Sequence, residues 1–483
     1  MSPRPRVYLL SPKAYPPEVI AVAFAKTSRS PEPFDAIAAE LNADQSRRFH
    51  EKWVVGYGHA SVAEHAVLHI AVEGVSRLAM EALEAPRLAS YTEKSTRYQR
   101  WQDDDFVTPP ELVGHPAEAR YRATIRHLVR TYQQAWEPLR AAIARRHPRR
   151  EGESEARWDR RVRSRFADVA RFLLPAAAVA NVGITINARA LAHALRQWLA
   201  HPLAEVRAVA QRIKDVALTE TPTLVRYAEP NAYRAYLQGD FALRAGAVAA
   251  AERFPPTAVH LAHYDADGEV RVLAAALAAR ARGPYAAYVQ HVAGLSAEAR
   301  RDLADALLGP RGPHDAPPRA LEMAVTTWDL VMDQGAYYEF KRHRVMTQLP
   351  QALGVDLGYA VPRLMREVGL EDAYRAALDM AAATYGHLAR TVGPAVAAYV
   401  VPNAYNRRVL AHMNLREVFH FVELRSAANA HFSIRRIALG MAERLRAVYP
   451  ALMAHLRVPA TTAADLEAAH FAALAERPGP AST

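Results

Sequence analysis

Asn187-Ala-Arg189-Ala-Leu-Ala-His193 and Asn414-Leu-Arg416-Glu-Val-Phe-His420 are two copies of one pattern, set 227 positions apart in a chain of 483 residues. Upstream, Leu174-Pro175 answers Val401-Pro402 in the same register. Downstream, Ala204-Glu205-Val206-Arg207 answers Phe432-Ser433-Ile434-Arg435 with a slip of one residue. Self-similarity at a fixed separation is the mark of one structural unit used again. The openings of the halves correspond as well. The apolar run Val7-Tyr8-Leu9-Leu10 reads as a strand before an alanine-rich helical stretch through Ile20 to Ala25, and Val259-His260-Leu261-Ala262 stands likewise before Val272 to Ala281.

The boundary between the copies falls in a stretch punctuated by Pro230, Gly239, Gly246 and the pair Pro255-Pro256. The expected organisation is a first domain over 1–228, a linker over 229–256, a second domain over 257–460 and a terminal helix and frayed tail over 461–483. Within each half, short β-type runs (Val67 to Val72, Ala324 to Trp328) alternate with helical patterns. Asn414 to Ser426, for example, places Leu415, Val418, Phe419 and Val422 on one face. The expected class is α+β, a mixed sheet flanked by helices, built twice.

Three further stretches carry the chemistry. The first half contains Gly58-His59-Ala-Ser61-Val-Ala-Glu64-His65 and, later, Arg87-Leu-Ala-Ser90-Tyr-Thr-Glu93-Lys-Ser95-Thr-Arg97-Tyr98; the second contains Arg342-His343-Arg344. Read alone, each has an ordinary explanation. Asn-x-Arg helices can be caps with surface pairs, Arg342 to Arg344 a solvated charge run, and His193 and His420 packed core histidines. His65 and His69 have the spacing of two helical metal ligands but no third ligand in view, so no metal is assigned.

Taken together, these stretches resemble the flavin-dependent thymidylate synthases. That family carries Gly-His-x-Ser-x-x-Glu-His, then Arg-His-Arg-x-x-Ser-x-Asn-Glu-x-Ser-x-Arg-Tyr, then a helix with Asn-x-Arg that ends in Leu-Arg. The resemblance covers almost the whole chain, twice, and neither copy is intact. In the first half Ala85, Pro86 and Thr92 replace the signature's Arg, His and Asn, and Trp198 stands where the helix should end in arginine. In the second half Pro350, Ala352 and Gly354 replace Glu, Ser and Arg. Ala398 answers Arg171, and the Gly-His segment has decayed to Pro313-His314-Asp-Ala-Pro-Pro-Arg319.

The losses are complementary. Family sites lie between the subunits of homotetramers, and the resemblance implies one complete dUMP site from Glu93, Ser95, Arg97 and Arg171 of the first half with Arg342 and Arg425 of the second. Ser95 and Arg425 would be its catalytic pair. It implies FAD, held by His59, Ser61 and Glu64, by Arg342, His343 and Arg344, and by Asn187, Arg189 and His193 or their twins Asn414, Arg416 and His420. NADPH and methylenetetrahydrofolate would be co-substrates, and a homodimer would reproduce four domains. The residue types suit such chemistry, because guanidinium forks and a hydroxyl bind a phosphate, and a fixed arginine stabilises charge developing on a uracil carbonyl.

Composition narrows the remaining classes. Without a single cysteine, the chain has no disulfide, thiolate nucleophile or Cys-ligated metal. Its apolar runs are too short for a bilayer span and no signal segment is visible, so a cytoplasmic protein is expected. Much of the net charge of +11 sits in Arg145 to Arg165, read as a solvated helical insertion because no aromatic ladder accompanies it. A nucleic-acid ligand would rest on charge alone. The main alternative to an enzyme is a non-catalytic nucleotide- or flavin-binding descendant, acting as sensor or scaffold.

Overall fold

In the computed structural model the described residues are 6, 8–28, 30–97, 99–246 and 259–479. Val7, Tyr98, the end of the expected linker and the last four residues lie outside them. The chain packs as two compact units. One combines Met1–Ser95, Asp105–Pro116 and Ala177–Ala250; the other combines Thr96–Asp104, Ala117–Ala176 and Ala251–Thr483. Two segments of the first sequence half therefore fold with the second half.

In the first unit, β1 (Val67–Ser76), β2 (Ala89–Glu93) and β3 (Val179–Asn187) form a sheet in the order β1-β3-β2. Leu68, Ile70 and Val72 are buried and alternate with exposed neighbours, the period of two that a half-covered sheet requires. Near its end β1 carries a bulge: Glu73 and Gly74 together oppose Asn181, with Gly74 at φ +69 and its N–H donating to Asn181 Oδ1 at 3.1 Å.

In the second unit, β4 (Val259–Tyr264), β5 (Val325–Asp333), β6 (Thr347–Pro350) and β8 (Asn406–Asn414) form a sheet ordered β4-β5-β8-β6. A separate ribbon pairs β7 (Tyr359–Pro362) with β9 (Phe471–Glu476). Trp328, Phe340, Phe419 and Leu445 centre the main core. The α+β class holds in both units. Where a mixed sheet was expected, every strand pairing is antiparallel. Residues 8–10 form no strand, and Leu9 is exposed; only the second sheet has the extra strand, β4 on β5. Residues 229–246 include the helices Ala232–Gln238 and Asp240–Gly246, and the tail includes the helix Ala463–His470 before β9.

Strand register reproduces the repeat. Val67 faces Asn187 and Ser76 faces Val179; in the second unit Val325 faces Asn414 and Asp333 faces Asn406, again 227 positions on along the central strand. Glu93 faces Val182 and Pro350 faces Val409, so the register itself puts Pro350 in the place of Glu93. Two contacts recur with their partners exchanged. Ser76 caps the helix Arg77–Leu83, while Glu205 accepts from its N–H at 2.7 Å and its hydroxyl at 2.6 Å. At the equivalent strand end Asp333 is the cap, and the hydroxyl, now Ser433, comes from the partner helix Phe432–Val448. His69 with Thr185 becomes Thr327 with His412, each pair at 3.0 Å.

Removing the Glu205 carboxylate strands the buried Ser76 N–H and hydroxyl, so Glu205→Ala should lower stability by about 2–4 kcal/mol and Glu205→Gln by less. Equal unfolding midpoints in denaturant for wild type and Glu205→Ala would refute this. A second expectation concerns acid. Burial, aided by neighbouring arginines, pushes His201 and His470 down to about 4. Their unfolded forms take protons first as pH falls, so the stability present above about 6.5 should be lost toward pH 4. A His201→Gln/His470→Gln variant should show a shallower fall of Tm over that interval; an unchanged slope would exonerate both.

Candidate functional site

The second unit gathers four of the six positions that the resemblance assigns to dUMP: Arg97, Arg171, Arg342 and Arg425. They belong to a chain of alternating charge. Glu417 accepts from His343 Nδ1 at 3.2 Å, and His343 Nε2 accepts from Arg425 Nε at 3.0 Å. Glu339 receives Arg425 Nη1 at 3.2 Å and Arg171 Nη2 at 3.0 Å. Asp168, one turn before Arg171 at the end of the helix Glu155–Ala170, is gripped by Arg97 through Nε at 2.7 Å and Nη2 at 2.6 Å. Burial pushes the Asp168 carboxyl upward, and Arg171 and Arg97 oppose it.

The local sequence explains this assembly. The helix Leu415–Ser426 starts at the Asn414 cap and places Glu417 beside the His343 ring and Arg425 at its far end. His343 is 3 % exposed, and burial holds its imidazole below the usual range. Its two bonds fix the tautomer, with Nδ1 protonated and Nε2 accepting, so it orients Arg425. Arg425 Nη2 has no acceptor among the described residues. Arg342 is exposed and close enough to depress Arg425, after burial and against Glu339.

Two cavities flank the network. One, of about 630 Å³, is lined by Arg97, Asp168, Asn429, Phe432 and Arg435, and by Arg146, His147, Arg161 and Arg165 of the basic stretch. That stretch is thus a cavity wall on one side rather than a wholly solvated insertion. The other, of about 530 Å³, lies between residues 313–317 and the Leu415–Ser426 helix, with Val345, Asn414, Arg416, His420 and Leu424 in its lining. Val345 is 69 % and Leu424 48 % exposed, an apolar border suited to a planar ring such as a flavin. Asp315, Glu322 and Glu423 share that lining, so the residues fit the ring of FAD and not its diphosphate. Arg344 is half-buried, and His420 packs on His343 with ring centroids 5.3 Å apart.

The first unit holds the remaining candidates. Glu93 pairs with Arg77 at 3.7 Å, both buried, and Ser95 stands two residues before Arg97 in sequence. Asn187 caps the helix Ala188–Trp198, Arg189 pairs with Glu64, and His193 lies against Gln197. His59 packs edge-on to Trp53, and Ser61 is exposed. His65 packs on Phe24 and His69 is bonded to Thr185; no group able to hold a metal occurs among the described residues.

Several residues escaped the sequence reading. Glu322 pairs with Arg416 as Glu64 pairs with Arg189, so the second copy keeps this contact three residues beyond Pro313 to Arg319, the segment read as decayed. A shift of register conceals it. Arg435 was visible as the end of the repeat's third match but was given no role. Asp168, Glu339 and His470 had no sequence signal, because the first-half counterpart of Glu339 is Ala82 and His470 lies beyond the repeat. Trp198, in the place of Arg425, donates its indole N–H to the Ala82 carbonyl at 2.9 Å.

Arg97→Ala would leave Asp168 buried without its fork and should destabilise the protein by about 3 kcal/mol or more, whereas Arg97→Lys should recover part of that loss. Unfolding curves that coincide for all three proteins would disprove the grip.

A family model described as thymidylate synthase complementing protein matches residues 10–223 and again 260–451. A UPF0159 protein of Chlamydia muridarum is 29% identical over 443 residues, spanning 88% of this chain and 84% of its own length. Half-length matches include a flavin-dependent thymidylate synthase of Clostridium tetani, 27% identical over 222 residues, or 44% of this chain and 83% of that one. Among solved structures, a UMP/dUMP methylase from Streptomyces cacaoi bound with 5-Br dUMP is 18% identical, with a TM-score of 0.33, over 41% of this chain and 93% of that chain. No described helix is long and apolar enough to cross a membrane. The chain belongs to the thymidylate synthase complementing protein family, and it carries the family's domain twice.

Proposed function

We propose that this protein methylates dUMP reductively to dTMP at one composite site per chain. One observation carries the reading: Arg171 and Arg425, from opposite sequence halves, meet on Glu339, while their repeat counterparts are Ala398 and Trp198. Arg97, Arg171, Arg342 and Arg425 all fall in one unit of one chain, and the counterparts of Arg171 and Arg425 carry no guanidinium. Methylenetetrahydrofolate supplies the methylene group, which becomes bonded to C5 of the uracil. The C5 proton leaves, and a hydride equivalent from NADPH completes the methyl group, with tetrahydrofolate and NADP⁺ as products. FAD, when bound, supplies the redox chemistry that links NADPH to the methylene.

This chain's residues bind and orient. Arg425 directs Nη2, which has no acceptor among the described residues, toward a uracil carbonyl whose charge grows in the transition state. His343 and Glu339 hold that guanidinium in place. Val345, Leu424, Arg416 and His420 border the flavin ring, with Arg342 and Arg344 beside it. Arg97, Arg171, Glu93 and Ser95 serve the nucleotide, and His59, Ser61, Glu64, Asn187, Arg189, His193 and Asn414 would be further cofactor contacts. Two chains pair to give four domains.

Purified protein should be yellow, release FAD, bind one dUMP per chain and release tritium from 5-labelled dUMP when folate and NADPH are present. Colourless protein that FAD does not reconstitute would overturn the flavin assignment, and two equivalent dUMP sites would overturn the composite one. Binding without tritium release would identify a non-catalytic nucleotide-binding descendant. Mixing Arg171→Ala with Arg425→Ala chains should restore no activity, because both residues act within one chain; recovery would place the site between chains.

A further inference from the structure

We propose that the 630 Å³ cavity is a phosphate-monoester site in which Arg165 and Arg435, with Arg97 in the same wall, receive the 5′-phosphate of the acceptor nucleotide. This deepens the preceding reading and rests on it for the identity of the nucleotide. Five guanidiniums line the cavity, from Arg97, Arg146, Arg161, Arg165 and Arg435. Three have carboxylate partners: Arg97 has Asp168, Arg146 has Glu367 and Arg161 has Glu153. Arg165 and Arg435 have none among the described residues; the only side-chain hydrogen bond of Arg435 there goes from Nε to the Ser426 carbonyl at 3.2 Å. Two uncompensated positive charges in one partly enclosed space match a monoester phosphate, which carries about −1.5 to −2 at neutral pH.

The walls are pre-built. The His470 ring lies flat on Phe432, with centroids 4.5 Å apart and planes 7° from parallel. The helix that carries His470, Ala463–His470, starts in a capping box at Thr462 and is tied by Glu467 to Arg436 of the helix bearing Phe432 and Arg435. This helix lies beyond residue 451, where the second family match ends. Arg97 alone is a poor phosphate ligand here, since Asp168 and the Asn429 carbonyl already take bonds from all three of its nitrogens. Arg165 and Arg435 supply what Arg97 has committed elsewhere.

The test is calorimetry on the full chain with three probes: dUMP, deoxyuridine and inorganic phosphate. Arg165 is exposed and has no ion-pair partner among the described residues, so Arg165→Ala should fold as wild type; its dUMP affinity should fall roughly tenfold, and that of Arg165→Ala/Arg435→Ala roughly a hundredfold. Deoxyuridine affinity should stay unchanged, and inorganic phosphate should compete with dUMP in wild type only. Arg435→Lys, which keeps the charge, should retain more affinity than Arg435→Ala. Variants that bind dUMP within twofold of wild type, or that lose deoxyuridine equally, overturn the proposal while the methylase reading stands. Arginine-dependent binding of inorganic phosphate in a protein indifferent to dUMP would support the oxyanion site and overturn the nucleotide assigned to it.

Discussion

The carboxylate of Glu339 is the point on which the site depends. Arg171 and Arg425 are like charges, half or more removed from water, and in low dielectric their repulsion would drive them apart. Glu339 takes one guanidinium on each oxygen and makes their proximity favourable. The pattern extends both ways, through His343 to Glu417 and, by charge proximity, through Arg171 to Asp168 and Arg97. In such a chain each member is compensated by its neighbours, and removal of one leaves the next buried and unpaired. Geometry is thereby fixed for Arg425, the residue with a donor still to give.

The repeat, the α+β class and the family were legible in the sequence because they rest on periodic spacing and on residue types held in register. Strand pairing then reproduced the same offset, down to Pro350 against Val409 where Glu93 faces Val182. Identity was legible; burial was not. Arg161 and Arg165 belong to one basic run, yet Glu153 neutralises the first, and the second faces a cavity with no carboxylate partner among the described residues. No count of charges separates them, because the distinction lies in which helical face turns inward. The ring of His343, expected as a cofactor contact, is buried between a carboxylate and a guanidinium, a placement no periodicity encodes.

The division of the chain follows from the same physics. The segment from Ala117 to Ala176 is contributed by the first half of the sequence but carries Asp168 and Arg171, whose partners Arg97 and Glu339 lie in the second unit. A sequence boundary drawn between repeats marks where duplication joined two copies. A boundary drawn by packing marks which side chains share one interior. The two differ here by some 70 residues, and the displaced piece is the one that brings the first-half arginines to the second-half wall.

Duplication also changes what a single residue must do. In one copy Ser76 caps a helix against Glu205; in the other Asp333 takes the cap and Ser433 the hydroxyl. His69 with Thr185 is likewise inverted as Thr327 with His412. Each contact keeps its chemistry while its partners trade sides, so the constraint acts on the pair and not on either position. The site follows the same rule at larger scale. Trp198 fills with an indole the place that Arg425 holds with a charge, and it bonds to the backbone of Ala82 where Arg425 bonds to the side chain of Glu339. One copy has exchanged a charged pair for packing and the other has kept it, which is the asymmetry that the proposed composite site requires.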